Sequence, residues 1–104
     1  MLLSAACNLE GKKLEVLGLV EGSTVQTVNA FKDLGASFKT LVGGELTKYN
    51  EMMEKARDLA KERMIKQAEA LGANAILSVR YSSASIVQGA AEVVVYGTAV
   101  RYTE

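Results

Sequence analysis

The chain contains no histidine, no proline and no tryptophan, and it has a single cysteine among 104 residues. The lack of histidine excludes a serine-protease-type triad, a histidine-ligated metal site and an imidazole acid or base. One cysteine cannot supply a cysteine-rich zinc site within one chain. The glycine-rich patterns GxGxxG and GxxxxGK[ST] are also missing. We therefore expect a protein that is not an enzyme.

The chain also has no excess of either charge and no long apolar run. Lys+Arg and Asp+Glu number 12 each, so the basic surplus that is usual in nucleic-acid-binding proteins is absent. No apolar run approaches the roughly 20 residues that span a bilayer. The stretch Met1–Cys7 has no basic residue, and its apolar run is shorter than the roughly 7–15 residues of a secretion signal. We interpret it as a short strand and expect a cytoplasmic protein with no membrane or nucleic-acid partner.

The composition fits one α+β domain over residues 1–104. Hydrophobic residues make up 49% and charged residues 23%, as in soluble globular proteins. The length allows one compact domain and is too short for two. The spacing of apolar residues predicts strands at 13–20, 73–86 and 91–102, and one long helix at about 47–71.

Several residues predict where the helical regions begin and end, and which side of the long helix is apolar. Between residues 24 and 42, apolar residues at three- and four-residue steps predict short helical segments. Thr47 suits the N-cap of the long helix, because its hydroxyl can accept a bond from an unpaired backbone N–H. Gly72 suits the left-handed position just past its C-terminus. Ile65 falls outside the apolar stripe of this helix.

The strands are apolar on both faces, and one helix can cover only one face of the sheet. Each exposed Val or Leu forgoes about 1.5–3 kcal/mol that burial would give. A large exposed apolar patch is unusual on a soluble monomer, so we expect the second face to be buried against other copies of the chain. The residues expected at this oligomer interface are Ile65, Arg80, Val93, Val95 and Arg101.

Four short motifs resemble the YbjQ-like family, whose members are small bacterial proteins that carry a heavy-metal-binding label. They are FKDLGAS at 31–37, the double glycine at 43–44, LGANA at 71–75 and GTAV at 97–100. Together they cover nearly the whole chain in the expected order. The resemblance implies a dodecin-like subunit, with a three-stranded antiparallel sheet packed on the long helix. It also implies a ring-shaped homo-oligomer, a homopentamer.

The resemblance implies little about activity, because the family is functionally uncharacterised. Many members carry Arg-Ser after the double glycine, whereas this chain has Glu45-Leu46. Many also carry acidic residues in the strand after LGANA, where this chain has Tyr-Ser-Ser-Ala-Ser at 81–85. If those acidic positions bind metal in relatives, this protein has lost them.

Three places are candidate sites. Cys7 is either a small hydrophobe or, where ring symmetry brings its copies together, a thiolate ligand for a soft metal. Gly43 and Gly44 are either a connection between helices or a source of backbone N–H groups for an anion, with Lys48 as the nearest cation. Arg57 is a candidate for an ion pair with Asp33, within the chain or across a subunit boundary.

Three functional hypotheses follow. The first is a non-enzymatic ring that binds a small ligand or a divalent or soft metal ion, although the sequence names no cofactor. The second is a structural or adaptor ring that binds another protein and holds no metal. The third is an enzyme with a site between subunits, whose acid and base groups would be Tyr, Lys, Asp or Glu.

Overall fold

The computed structural model of the chain describes residues 1–27, 44–87 and 90–104. Its elements, in chain order, are β1 (Leu2–Leu3), β2 (Lys13–Thr27), α1 (Gly44–Ala70), β3 (Ala75–Val87) and β4 (Ala90–Thr103). The strands form one sheet in the order β1-β3-β4-β2. Strand β4 is antiparallel to both β2 and β3, and β1 runs parallel to β3.

The α+β class is confirmed, but the expected three-stranded antiparallel sheet is wrong. In the described part of the chain the sheet has four strands and is mixed, because the N-terminal segment pairs with the start of β3. The N–H of Leu2 donates to the carbonyl oxygen of Asn74 at 3.3 Å, and the N–H of Ser4 donates to that of Ile76 at 3.0 Å. The chain start does form a short strand, as expected, but a two-residue strand carries no alternation that would show its partner.

The helical segments expected at 24–42 are wrong for their first residues, because β2 continues to Thr27. From Val20 to Val25 the side chains alternate strictly between buried and exposed, which is the period of a strand. The Thr24 hydroxyl lies under α1 and donates to the carbonyl oxygen of Ala56 at 3.2 Å. The remainder of the expected segments, at 28–42, lies outside the described residues.

The expected helix is confirmed, with corrected ends. It begins at Gly44, so Thr47 lies inside the first turn and is not the N-cap. Its C-terminus follows the expectation for Gly72, which has a positive φ of 83°. The N–H of Gly72 donates to the Glu69 carbonyl oxygen, and the N–H of Ala73 donates to that of Ala68, both at 3.0 Å. This pair of bonds is the Schellman motif, in which a left-handed residue ends the helix.

Helix α1 packs on the inner face of the sheet through small side chains. Ala56, Ala60, Met64 and Ala68 are fully buried in this contact. The helix lies mainly over β2 and β4, and touches β3 little. A Cβ atom at Gly22 would overlap the Ala60 carbonyl oxygen, so this glycine permits the close approach of helix and strand. Among the described residues, no helix combines the length and hydropathy needed to cross a membrane.

Irregularities in two strands change which residues share a face. In β2 the register against β4 shifts between Val16 and Gly18, so Leu17 is an extra residue. Val16 and Val20 therefore lie on opposite faces, where regular alternation predicts one face. In β3 the register shifts between Leu77 and Arg80.

Candidate functional site

The sheet face opposite α1, called the open face below, carries exposed apolar side chains. On β2, Val16 is 68% exposed and Leu19 is 72% exposed, and Val25 is also exposed. Tyr96 of β4 is exposed beside Glu21, its register partner. One end of this face is covered, because Leu9 packs against a small buried cluster there. The rest of the face has no cover from any described residue of the chain.

Two edges of the sheet are free in the part of the chain that the structure describes. Among the described strands, β4 is the one partner of β2, and the other side of its 15 residues has no partner strand there. Strand β3 pairs with β1 only at Ala75 and Ile76. Beyond Val79, whose N–H donates to the Ser4 carbonyl oxygen at 3.0 Å, β3 has a second free edge. Unpaired edges are templates for association with another chain.

The residues expected at an oligomer interface are divided between the two faces. Val93 and Val95 are 2% and 0% exposed, because they face α1 in the core. Ile65 is partly buried against the same core. Arg101 donates from Nη1 to the Gly72 carbonyl oxygen at 3.2 Å, beside the C-terminus of α1. Of the five, Arg80 is the one in register with Tyr96 on the open face.

Cys7 is exposed and carries a free thiol. The residues before it are fixed to β3. Arg80 Nη1 donates to the Ala5 carbonyl oxygen at 3.0 Å, and the N–H of Ser78 donates to that of Ala6 at 2.9 Å. The described residues contain no group of three or more Cys, Asp or Glu side chains that could hold a metal ion. A metal site with several such ligands from this part of the chain therefore requires more than one copy.

The expected anion site at the helix start is only partly described. Gly43 lies outside the described residues. Gly44 is the first residue of α1, and Lys48 lies within its first two turns. Cys7 and this helix start are far apart in sequence, and no contact between them is described.

A recess between α1 and β3 was not expected from the sequence. One part is a groove of about 430 Å³, and the adjoining part is a cavity of about 90 Å³. Both parts are lined by Tyr81, and α1 contributes Arg57 and Lys61, one turn apart. The described lining residues are Leu3, Ser4, Ala5, Met53, Arg57, Lys61, Val79, Tyr81, Ser82, Ser83 and Val93. Asp33, the partner expected for Arg57, lies outside the described residues.

A family model described as "Putative heavy-metal-binding" matches residues 1–103. The chain belongs to the YbjQ family. A UPF0145 protein of Clostridioides difficile is 58% identical over 101 residues, which cover 96% of this chain and 90% of that protein. A UPF0145 protein of Thermus thermophilus is 58% identical over 87 residues, which cover 84% and 76%. These similarities confirm the family resemblance.

The fold of this YbjQ family member is also similar to a solved structure. A crystal structure of a protein of unknown function from Pediococcus pentosaceus has a TM-score of 0.73 and is 19% identical. The match covers 99% of this chain and 98% of the other. At this identity the likeness shows the fold alone.

The LGANA motif of this YbjQ family member has a structural explanation. Gly72 ends α1, and Ala75 starts β3 at 0% exposure. Between them, Asn74 accepts a bond at Oδ1 from the N–H of Tyr102 at 2.8 Å. Its Nδ2 donates to the Tyr102 carbonyl oxygen at 3.1 Å. The side-chain amide of Asn74 thus makes the two bonds that a backbone peptide group would make, and it joins the start of β3 to β4. The motif therefore has a structural role.

Proposed function

We propose that the protein is a non-enzymatic, cytoplasmic homo-oligomer, a ring of five copies, that binds a soft or divalent metal ion between its subunits. The observation that best supports the proposed assembly is the exposed apolar surface of the open face. Burial of Val16, Leu19 and Val25 would contribute about 1.5–3 kcal/mol each, before the costs of association. Exposed patches of this kind mark interaction surfaces.

The two free edges favour a ring over a two-fold dimer. One edge belongs to β2 and the other to β3, on opposite sides of the sheet. Contact between two different surfaces repeats from copy to copy, and it forms a ring when the rotation between copies closes. Both strands are antiparallel to β4, so they run in the same direction and would pair as parallel strands. The number five is taken from the family resemblance.

Charge supports this pairing. On the open face, Arg80, Tyr96 and Glu21 lie in one row across the sheet. Arg80 lies beside one free edge and Glu21 beside the other. If β3 of one copy pairs with β2 of the next so that this row continues, the Arg80 guanidinium lies beside the Glu21 carboxylate of the next copy at each subunit boundary. Opposite charges in register across neighbouring strands stabilise the pairing.

The shape of one chain gives further support. Its radius of gyration is 16.9 Å, and its extents are 54 × 22 × 16 Å. A compact domain of this length has a radius of about 13 Å. The long ribbon of β2 and β4 accounts for the difference, and a ring would pack such ribbons side by side.

The metal proposal rests on the family description and on Cys7. The described residues of one chain hold no cluster of ligands, so copies of the exposed thiol are the best source of a thiolate site. The segment that carries Cys7 continues to Leu9, which packs at the end of the open face. Closure of a ring around this face would bring the copies of this segment to one end of the ring.

Native mass spectrometry with elemental analysis of freshly purified protein tests both parts. We expect a mass five times the 11.1 kDa of one chain, with bound metal. Cys7→Ser should abolish stoichiometric binding of zinc, copper(I) or cadmium and leave the mass of the assembly unchanged. A monomer at micromolar concentration would contradict the ring. A ring that purifies without metal and binds none would favour the adaptor hypothesis. Metal binding that is unchanged by Cys7→Ser would instead overturn the role of Cys7.

A further inference from the structure

The recess between α1 and β3 exists because of where the helix lies. Gly22 admits the helix backbone close to β2, and α1 rests over β2 and β4. Among the described residues, little covers the inner side of β3. The groove and the cavity that result adjoin at Tyr81, whose side chain is 49% exposed.

The described lining of the recess is positively charged. Arg57 lines the cavity and Lys61 lines the groove, and no Asp or Glu is among the described lining residues. Neither cation has a hydrogen bond or an ion pair with any described residue. In contrast, Arg63 on the other side of α1 donates from Nη1 to the Ser23 carbonyl oxygen at 2.6 Å.

The polar groups of the cavity suit an oxyanion. A guanidinium presents a planar set of donors that matches a phosphate or a carboxylate. Ser83, which shares the inner face of β3 with Tyr81, lines the same cavity and supplies a hydroxyl donor. At about 90 Å³, the cavity has room for one such group and little more.

The groove suits an apolar body. Leu3, Val79 and the ring of Tyr81 line it, with Lys61 at its helix side. Its volume is about 430 Å³ and it is open to solvent, so it would cover one side of a ligand. Ligand sites commonly combine apolar walls with a few placed polar groups, as here.

We propose that this recess binds a small organic anion, a phosphate or carboxylate on an apolar or aromatic body. The anionic group lies at Arg57 and Ser83, and the body lies on Tyr81 and Val79. All of these residues belong to one chain, so the site goes beyond the proposed metal function and does not depend on it.

Binding of 1-naphthyl phosphate, followed by saturation-transfer NMR and calorimetry on the full chain, tests the site. The double variant Arg57→Gln, Lys61→Gln should bind the probe about tenfold more weakly or worse, because two charged donors are lost. The matched control Lys55→Gln, Lys66→Gln removes the same charge from the same helix outside the recess. It should change the affinity by no more than about twofold. Neutral 1-naphthol should bind equally to both variants.

A second measurement needs no variant. In the wild-type protein, 1-naphthyl phosphate should slow acetylation of Lys61 and leave that of Lys55 unchanged, as read by peptide mass spectrometry. Equal loss of affinity in both double variants, equal protection of both lysines, or no saturable binding at millimolar probe would each overturn the proposal. The native mass is recorded in the same samples. A probe-binding monomer would overturn only the ring, and a ring without probe binding would overturn only this site.

Discussion

At the scale of single residues, Gly22 sets how closely α1 lies on the sheet. A Cβ there would overlap the Ala60 carbonyl oxygen and lie 2.6 Å from the Met64 backbone nitrogen, and neither backbone atom can move without displacing the helix. We expect Gly22→Ala to lower the free energy of unfolding by about 1–3 kcal/mol, measured by urea denaturation. The neighbouring exposed Ser23→Ala should stay within about 0.5 kcal/mol of wild type. A Gly22→Ala protein as stable as wild type would contradict the close helix–strand contact.

Asn74 acts through its side-chain amide. Replacement by Ala removes both bonds to Tyr102 and leaves a partly buried backbone N–H and carbonyl without their partner. We expect Asn74→Ala to lower the free energy of unfolding by about 1–3 kcal/mol. Asn50→Ala, an exposed position on α1, is the matched control and should have little effect. Equal stability of the two variants, in the same urea series, would refute this role.

At the scale of elements, the end of α1 depends on the left-handed conformation of Gly72. A side chain at a φ of 83° crowds the following carbonyl group, which costs roughly 1–2 kcal/mol for most residues. Asn tolerates this conformation better than Ala. Thermal unfolding should therefore rank stability as wild type, then Gly72→Asn, then Gly72→Ala. If the Gly72→Ala variant were more stable than the Gly72→Asn variant, the left-handed conformation would not be the cause of the stability loss.

Two features of β2 that were not predicted share one cause. The end of β2 contains Val25 at a spacing that also fits a helix, yet it pairs with β4 through Thr27. The extra residue Leu17 in the same strand exchanges the faces that follow it. Pairing with a distant strand decides both features, and local spacing reports only on near neighbours in the chain.

At the scale of the whole molecule, the open face gives a test of assembly. Leu19 is 72% exposed in the single chain. Leu19→Glu should therefore leave the chain folded and place a negative charge on the open face alone. We expect this change to reduce the native mass to that of one chain at micromolar concentration, because an unpaired buried carboxylate is costly. Leu59→Glu, on α1 and so on the other side of the sheet, is the control and should retain the assembly. An unchanged mass for Leu19→Glu would place the interface elsewhere.

The sequence by itself determined the α+β class, the long helix with its end at Gly72, the family and the excess of apolar strand surface. These depend on spacing, on one glycine and on short motifs, all of which are local. The structure alone decided the fourth strand, the face that α1 covers and the recess at Tyr81. It placed Val93 and Val95 in the core and left Val16 and Leu19 exposed. The physical reason is that burial is settled by contacts between residues far apart in the chain. Thr24 under Ala56, 32 residues away, is one such contact.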